Sequence, residues 1–197
     1  MIAPGFCMLL RKHLQNGRIT DITQPGLERI VRIHIEHLNE MGDLCQKSLI
    51  IEIMGKHSNI IFVNDKDMII DSIKHISGMV SSVREVLPGR DYFIPVTQEK
   101  KEPLTVTKED FIQTITGRAM PVFKALYSSF TGLSPLIAQE ICARAGIDGD
   151  FSTAVFQEAD NGSLLLDRLH ASFDAVMSAV KATDFAPTVY YENGAPT

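Results

Sequence analysis

The hydrophobic pattern of this chain changes its period once, and that change restricts the folds that the chain can adopt. Between residues 27 and 73, apolar and polar residues mostly alternate with the period of two that is typical of β-strands. From about residue 104 to residue 182, apolar residues recur at the spacing of one helix face. A run of strands followed by a run of helices favours an α+β fold with an antiparallel sheet.

The first part of the chain predicts one helix and an antiparallel meander. Apolar residues recur at helical spacing over residues 6–14, and Gly17 ends that run. Strand character begins at Arg18, and a long strand is predicted over residues 27–36, with Glu28 and Arg29 on opposite faces. Arg29 then points to the mostly apolar face, where a structural arginine would need a carbonyl or carboxylate partner. Three further strands are predicted, at 49–54, 59–64 and 68–73.

Residues 75–97 lose all periodicity and are predicted to form a long loop with few large apolar anchors. Loops longer than about 12–15 residues in a compact domain are usually functional or mobile. The charged residues 98–103 resemble a linker. The predicted organisation is therefore a partial domain at 1–97, a linker at 98–103, a helical domain at 104–182 and the start of another segment at 183–197.

Four helices are predicted in the second part. Thr107 and Asp110 form a capping-box-like start for a helix that carries Phe111, Ile112 and Ile115. A second helix follows, and Ser134 with Pro135 begins a third that Gly146 ends. The apolar positions of the last three helices are Val122, Phe123, Leu126, Tyr127 and Phe130; Ile137, Ile141 and Ala145; and Leu165, Leu169, Phe173, Val176 and Val180. The final residues, 188–197, predict a strand and an Asn-Gly turn without a return strand, so we expect the chain to be part of a longer protein.

Composition excludes few function classes. No apolar run approaches the ~20 residues of a membrane-spanning helix, and no signal-peptide pattern opens the chain. The three cysteines have no metal or redox spacing, which favours a reducing, cytoplasmic setting. The net charge of −5 lies entirely in residues 98–197, because residues 1–97 hold 11 basic and 11 acidic side chains. That balance argues against a broad nucleic-acid footprint but permits a local one.

The turn at residues 55–59, Gly-Lys-His-Ser-Asn, separates two apolar runs. One interpretation is a hairpin turn in which Gly55 supplies a positive φ and the polar side chains are merely solvated. The other is a cradle for an RNA phosphate or a flipped base: Lys56 supplies charge, His57 can stack or donate, and Ser58 and the backbone donate hydrogen bonds.

Five ordered motifs resemble the NFACT-N domain and cover nearly the whole chain. They are FCMLLRKHL at 6–14, LERI at 27–30, IEIMGKHSNIIFV at 51–63, IIDSIKHI at 69–76 and REVLPGRDYFIP at 84–95. That family comprises the bacterial RqcH proteins, also called fibronectin-binding protein A (FbpA), and their eukaryotic relative NEMF. The helical part, with GLSP at its hairpin, is similar to the helix-hairpin-helix domain that follows in these proteins. Its hairpin has Ser134 where a second glycine is usual, so we expect contact with a protein or rRNA surface rather than with duplex backbone.

The resemblance implies a ribosome quality-control factor. Its members bind a large ribosomal subunit that holds peptidyl-tRNA, recruit charged tRNA (alanyl-tRNA in bacteria) and direct untemplated C-terminal tailing of the stalled chain. An Asp-Arg pair in the family engages tRNA, and the matching residues here are Glu28 and Arg29. Further candidate contacts to RNA phosphate are Arg11, Lys12, Lys56, His57, Ser58 and Arg84. No catalytic residue, cofactor or metal site is predicted, and peptide transfer would belong to the ribosome.

Two other function classes are weighed against this one. A fibronectin-binding surface adhesin should carry an export signal or an anchor, and none is visible in this sequence. A DNA-processing enzyme would need a base-excision nucleophile or a metal cluster, and no suitably spaced His, Cys, Asp and Glu residues are present. A cytoplasmic, RNA-binding role without membrane contact is therefore the favoured prediction, with a cell-surface role as the alternative.

Overall fold

The computed structural model describes residues 5–39, 41–94 and 100–196. The chain divides between residues 99 and 100 into two compact units. The first is a five-stranded antiparallel sheet with one helix, and the second is helical. The α+β prediction is therefore confirmed. Among the described residues, no helix is long and apolar enough to cross a membrane.

The first unit begins with helix α1 (Gly5–Leu14) and continues as a meander whose spatial order follows the chain. The strands are β1 (Arg18–Thr23), β2 (Ile30–Leu38), β3 (Leu44–Glu52), β4 (Asn59–Asn64) and β5 (Ile69–Ser72). The predicted strand at 27–36 is thus shifted, since β2 starts at Ile30 and leaves Glu28 and Arg29 in the preceding loop. Strand β3 begins five residues before the predicted strand, because the β2–β3 hairpin stays in register down to the Leu38–Leu44 pair.

Helix α1 packs on one face of the sheet, which we call the helix face and which carries Ile35, Lys47 and Phe62. The ring of His13 lies 6.0 Å from the ring of Phe62. The Lys47 Nζ lies 3.2 Å from His13 Nδ1 and 2.7 Å from His37 Nε2. Partial burial lowers the pKa of Lys47. The C-terminal half of α1 is held on the sheet by this contact between an amine and two imidazoles.

The opposite face of the sheet, called the segment face, is covered by residues 75–94. Val86 in this segment is fully buried and joins a core cluster with Ile30, Ile50, Ile61, Val63 and Ile69. The half-buried residues Met54, Ile76, Tyr92 and Ile94 pack against the same cluster. The expectation that residues 75–97 lack apolar anchors is therefore wrong for 75–94. The anchors are irregularly spaced along the sequence, so no hydrophobic periodicity reveals them. Residues 95–97 lie outside the described residues.

The second unit contains α2 (Lys108–Thr116), α3 (Val122–Ser129), α4 (Pro135–Ala145), a short α5 (Val155–Glu158) that the sequence did not predict, and α6 (Gly162–Lys181). The rings of Phe111, Phe130 and Phe173 meet at centroid distances of 4.7 to 5.7 Å. The Ser172 Oγ in α6 donates a 2.8 Å hydrogen bond to the Ile141 carbonyl in α4. These contacts form the core of the unit.

The predicted helix caps are present, but two helix faces and two connections differ from the prediction. The buried face of α4 consists of Ala138, Ile141, Cys142 and Ala145, and Ile137 is not part of it. The buried face of α6 includes Leu166 and Met177 instead of the predicted Leu165, Val176 and Val180. Residues 100–103 of the predicted linker pack on the helical unit, where the backbone of Lys101 bonds to Ser129 and Thr131. The return strand expected to be missing is present, as β6 (Tyr191–Glu192) pairs with β7 (Ala195–Pro196).

Candidate functional site: a basic end of the sheet

The β1–β2 loop, residues 24–29, holds the Glu28-Arg29 pair in a fixed backbone position. The Glu28 N–H donates to the Pro25 carbonyl at 3.0 Å, and the Gln24 side-chain amide donates to the Glu28 carbonyl at 2.7 Å. The Arg29 carbonyl accepts a 2.8 Å hydrogen bond from the Ile53 N–H. The Arg29 side chain is exposed. The interpretation of Arg29 as a structural core arginine is therefore wrong, because β2 begins at Ile30, three residues later than predicted, and Arg29 precedes it.

The turn at Gly55–His57 is a tight 3₁₀ turn that presents the side chains of Lys56 and His57 to solvent. Gly55 has the predicted positive φ, 59°. Lys56 and His57 are exposed, while the Ser58 hydroxyl accepts a 2.9 Å hydrogen bond from the Met54 N–H and closes the turn. The Ser58 oxygen therefore holds the turn in shape, while the role of the Ser58 hydroxyl as a donor to a ligand stays a prediction, as do those of Lys56 and His57.

A buried amide attaches the chain after β5 to this turn. Asn59 is 2% exposed, and its side-chain amide donates to the Lys74 carbonyl and accepts from the Lys74 N–H at 2.9 and 3.0 Å. The Lys74 Nζ lies 3.4 Å from the Lys56 carbonyl. Lys74 is exposed, so a second lysine lies beside the turn.

These three segments meet at one end of the sheet, which we call the basic end. Ile30 pairs with Glu52, and Glu52 pairs with Asn59, so the starts of β2 and β4 flank the end of β3. Two strand spacings, about 10 Å in all, separate the backbones of β2 and β4 there. The exposed basic side chains of this end are Arg29, Lys56, His57 and Lys74. They form a local basic surface on a chain whose net charge is −5.

A buried ion pair lies at the last residue of β3. Glu52 is 1% exposed, and one carboxylate oxygen accepts from Arg84 Nη2 at 2.5 Å while the other accepts from the Tyr92 hydroxyl at 3.0 Å. Arg84 Nη1 also donates to the Phe93 carbonyl at 2.8 Å. Burial, followed by the nearby Glu52 carboxylate, raises the pKa of Tyr92 above its usual value, so the phenol remains a donor. Arg84 is thus largely buried and bonded to Glu52 and Phe93, which argues against its predicted contact with RNA.

The remaining predicted residues do not join the basic end. Arg11 and Lys12 are exposed on α1, and the chain leaves α1 for β1, whose first residue, Arg18, pairs with Glu36. That pair lies toward the opposite end of the sheet from the Ile30–Glu52 pair. The structure therefore brings together Glu28, Arg29 and the Lys56–Ser58 turn, and it leaves Arg11 and Lys12 elsewhere.

Sequence reasoning missed Lys74, Asn59 and the Glu52–Arg84–Tyr92 cluster. Antiparallel order alone places the end of β5 beside the turn that precedes β4, and this signal could have identified Lys74. Glu52 is one carboxylate in the apolar run 49–54, and a buried carboxylate requires a cationic or donor partner. Which arginine supplies that partner could not be read from the sequence, since Arg84 is 32 residues away.

The fold and this site define an α+β chain with a locally basic sheet end and a separate helical unit. The model of the NFACT N-terminal and middle domains matches residues 1–197, and the chain belongs to that family. Over 145 residues, 73% of its length, it is 44% identical to the Rqc2 homologue RqcH of Bacillus subtilis. The chain spans about a quarter of that relative, since the match covers 25% of it.

Two solved structures are similar to this chain in both fold and sequence. The crystal structure of the fibrinogen-binding protein from Staphylococcus aureus matches with a TM-score of 0.75 and 32% identity, over 100% of this chain and 66% of that one. The N-terminal part of the fibronectin/fibrinogen-binding protein from Streptococcus suis matches with a TM-score of 0.66 and 32% identity, over 88% and 59% of the two chains.

Proposed function

We propose that this chain is the tRNA-binding part of a cytoplasmic ribosome quality-control factor. Such a factor engages a large ribosomal subunit that holds peptidyl-tRNA and directs alanine tailing of the stalled nascent chain. The similarity of this chain to RqcH proteins supports a general role in ribosome quality control. The chain would supply binding rather than reaction chemistry.

The observation that carries this proposal is the position of Glu28 and Arg29 on the basic end. The Arg29 backbone is fixed by Ile53 while its guanidinium is exposed, so the side chain can donate two parallel hydrogen bonds to a phosphate or a base edge. The half-buried Glu28 carboxylate can accept from a base amine. Lys56 and Lys74 add phosphate-binding charge on the neighbouring segments.

The test replaces Glu28 and Arg29 together with alanine in the full-length protein that carries this chain. Charge-assisted contacts of this kind contribute about 1.5–3 kcal/mol each, which is roughly tenfold to hundredfold in affinity per contact. We expect tRNA recovery with the purified protein to be lost while recovery of large subunits persists. Sequencing the RNA that co-purifies with the unaltered protein would identify the tRNA.

The matched control is Arg18→Ala, which removes another exposed arginine far from the basic end. Arg29→Ala should leave the melting temperature of the chain nearly unchanged, since the side chain is exposed and only its carbonyl is bonded. Unimpaired tRNA recovery by the double variant would overturn the assignment.

Adhesin function remains the second candidate, since the two solved relatives are described as binding fibrinogen or fibronectin. Binding of immobilised fibronectin by the purified protein, unchanged in the Glu28→Ala, Arg29→Ala double variant, would support it instead.

A further inference from the structure

Three Asn-Gly pairs occur along the chain, at 16–17, 161–162 and 193–194, and the structure places them in different surroundings. An asparagine followed by glycine is prone to spontaneous deamidation, in which the glycine backbone nitrogen attacks the carbonyl carbon of the asparagine side chain. Glycine favours this reaction because it has no Cβ to obstruct the approach. The sequence is equally reactive at all three positions, so the fold decides which pair reacts.

Two of these pairs are held by the fold in a form that cannot react. The Gly17 N–H donates to the Leu14 carbonyl at 2.9 Å, and the position where its Cβ would lie is occupied by the Ile35 side chain and by backbone. The Gly162 N–H donates to the Ala159 carbonyl at 2.9 Å, and Gly162 is buried at the start of α6. In both pairs the attacking nitrogen is already bonded, so the reaction requires the surrounding structure to open first.

The third pair lies in an open turn. Asn193 and Gly194 are the two residues between β6 and β7, and both are exposed. Their φ angles, 52° and 82°, are both positive, as in a type I′ turn. Among the described residues, no atom lies within 4 Å of the position where a Cβ on Gly194 would be. The hairpin consists of two residue pairs, and so small a hairpin opens readily.

We propose that Asn193-Gly194 is a site of spontaneous deamidation and that the fold protects the other two pairs. The Gly194 nitrogen forms a bond with Asn193 Cγ, the Cγ–Nδ2 bond breaks, and ammonia leaves with the proton of the Gly194 nitrogen. Water then opens the resulting cyclic imide at either of its two carbonyls, which yields aspartate or isoaspartate at position 193. Water is the only co-reactant.

The reaction changes both the charge and the geometry of the hairpin. Either product places a new carboxylate directly after Glu192, on a chain whose net charge is already −5. Isoaspartate also inserts one methylene into the backbone, which a two-residue turn cannot accommodate while β6 and β7 keep their register. We therefore expect conversion to isoaspartate to abolish the pairing of Glu192 with Ala195, which the NMR signals of these two residues report.

The experiment incubates the purified, folded protein at mildly alkaline pH, which speeds the reaction because the nitrogen attacks in its deprotonated form. Peptide mapping by mass spectrometry measures, at successive times, the fraction of each Asn-Gly pair whose amide has become an acid. We expect the 193–194 pair to convert about tenfold faster than the other two, as one hydrogen bond with its packing would cause. Asn193→Gln is the control, since its longer side chain closes an imide ring only slowly, and its peptide should keep its mass.

A second incubation, in concentrated denaturant, separates the effect of the fold from that of the local sequence. All three pairs should convert at similar rates in the unfolded protein, since glycine follows asparagine in each. Equal conversion of the three pairs in the folded protein would overturn the proposal, and so would a preference for 193–194 that persists undiminished in denaturant. RNA takes no part in this reaction, so its outcome is independent of the proposed function.

Discussion

The carboxylate of Glu52 is buried at the end of β3, where its charge is stabilised by Arg84 and by the Tyr92 hydroxyl. Removing a carboxylate and a guanidinium from water has a large desolvation cost that their mutual attraction only partly offsets. The cluster therefore adds less to net stability than its short contacts suggest. Its main structural effect is positional, since it attaches the segment 75–94 to the strand that leads into the basic end.

Arg84→Ala tests this residue-scale argument. The substitution leaves Glu52 buried without its cation, and we expect the free energy of unfolding of the chain to fall by about 3–5 kcal/mol. Chemical denaturation measures the change. In the double variant Glu52→Gln, Arg84→Met, where neither charge remains, much of that loss should be recovered. A double variant as unstable as Arg84→Ala would show that packing, rather than the isolated carboxylate, causes the loss.

At the scale of elements, the helices of the second unit begin and end where local chemistry sets them. The Ser134 side chain accepts from the Ile137 N–H at 3.2 Å, Pro135 occupies the first turn of α4, and Gly146 ends the helix at φ 67°. The Thr107 hydroxyl likewise accepts from the Asp110 N–H at the start of α2. Each cap satisfies a backbone group that the helix leaves without a partner.

Ser134→Ala removes the N-cap of α4 and should lower the free energy of unfolding by about 1 kcal/mol. Thermal unfolding followed by circular dichroism measures the change as a lower melting temperature. Ser128→Ala, an exposed serine near the end of α3, is the matched control and should have little effect. If both variants lose equal stability, the Ser134 cap does not determine where α4 begins.

At the scale of the whole molecule, charge is distributed so that a net-acidic chain carries a locally basic surface. The excess of acidic over basic residues lies in residues 98–197. At the basic end of the sheet, exposed basic side chains from three separate segments lie close together. Contacts between cations and phosphates release counterions, so their number is measurable from the salt dependence of binding.

We expect the logarithm of the tRNA association constant to fall with the logarithm of salt concentration with a slope of about −2 to −3, for three phosphate contacts. Fluorescence anisotropy at several salt concentrations measures it. The Lys56→Gln, Lys74→Gln double variant should lose about 1.5 of that slope. Lys66→Gln, in the β4–β5 turn at the opposite end, is the control. An unchanged slope in the double variant would exclude these lysines as phosphate contacts.

The candidate site was only partly predictable from the sequence. Glu28, Arg29, Lys56 and His57 were identified from motifs, and the structure places them on one end of the sheet. Arg84 was predicted from the sequence as an RNA contact, whereas the fold pairs it with the buried Glu52. The sequence did not reveal that the Ser58 hydroxyl accepts from the backbone of its own turn, because a hydroxyl in a turn can bond either to a ligand or to the backbone.

The sequence by itself determined the α+β class, the strand order of the meander and the helix caps, because periodicity and capping act over a few residues. Only the tertiary structure decided that residues 75–94 cover the segment face, that β2 starts at Ile30, and which faces of α4 and α6 are buried. The physical reason is that these outcomes depend on contacts between residues far apart in the chain, such as Glu52 with Arg84. Local patterns contain no information about such partners.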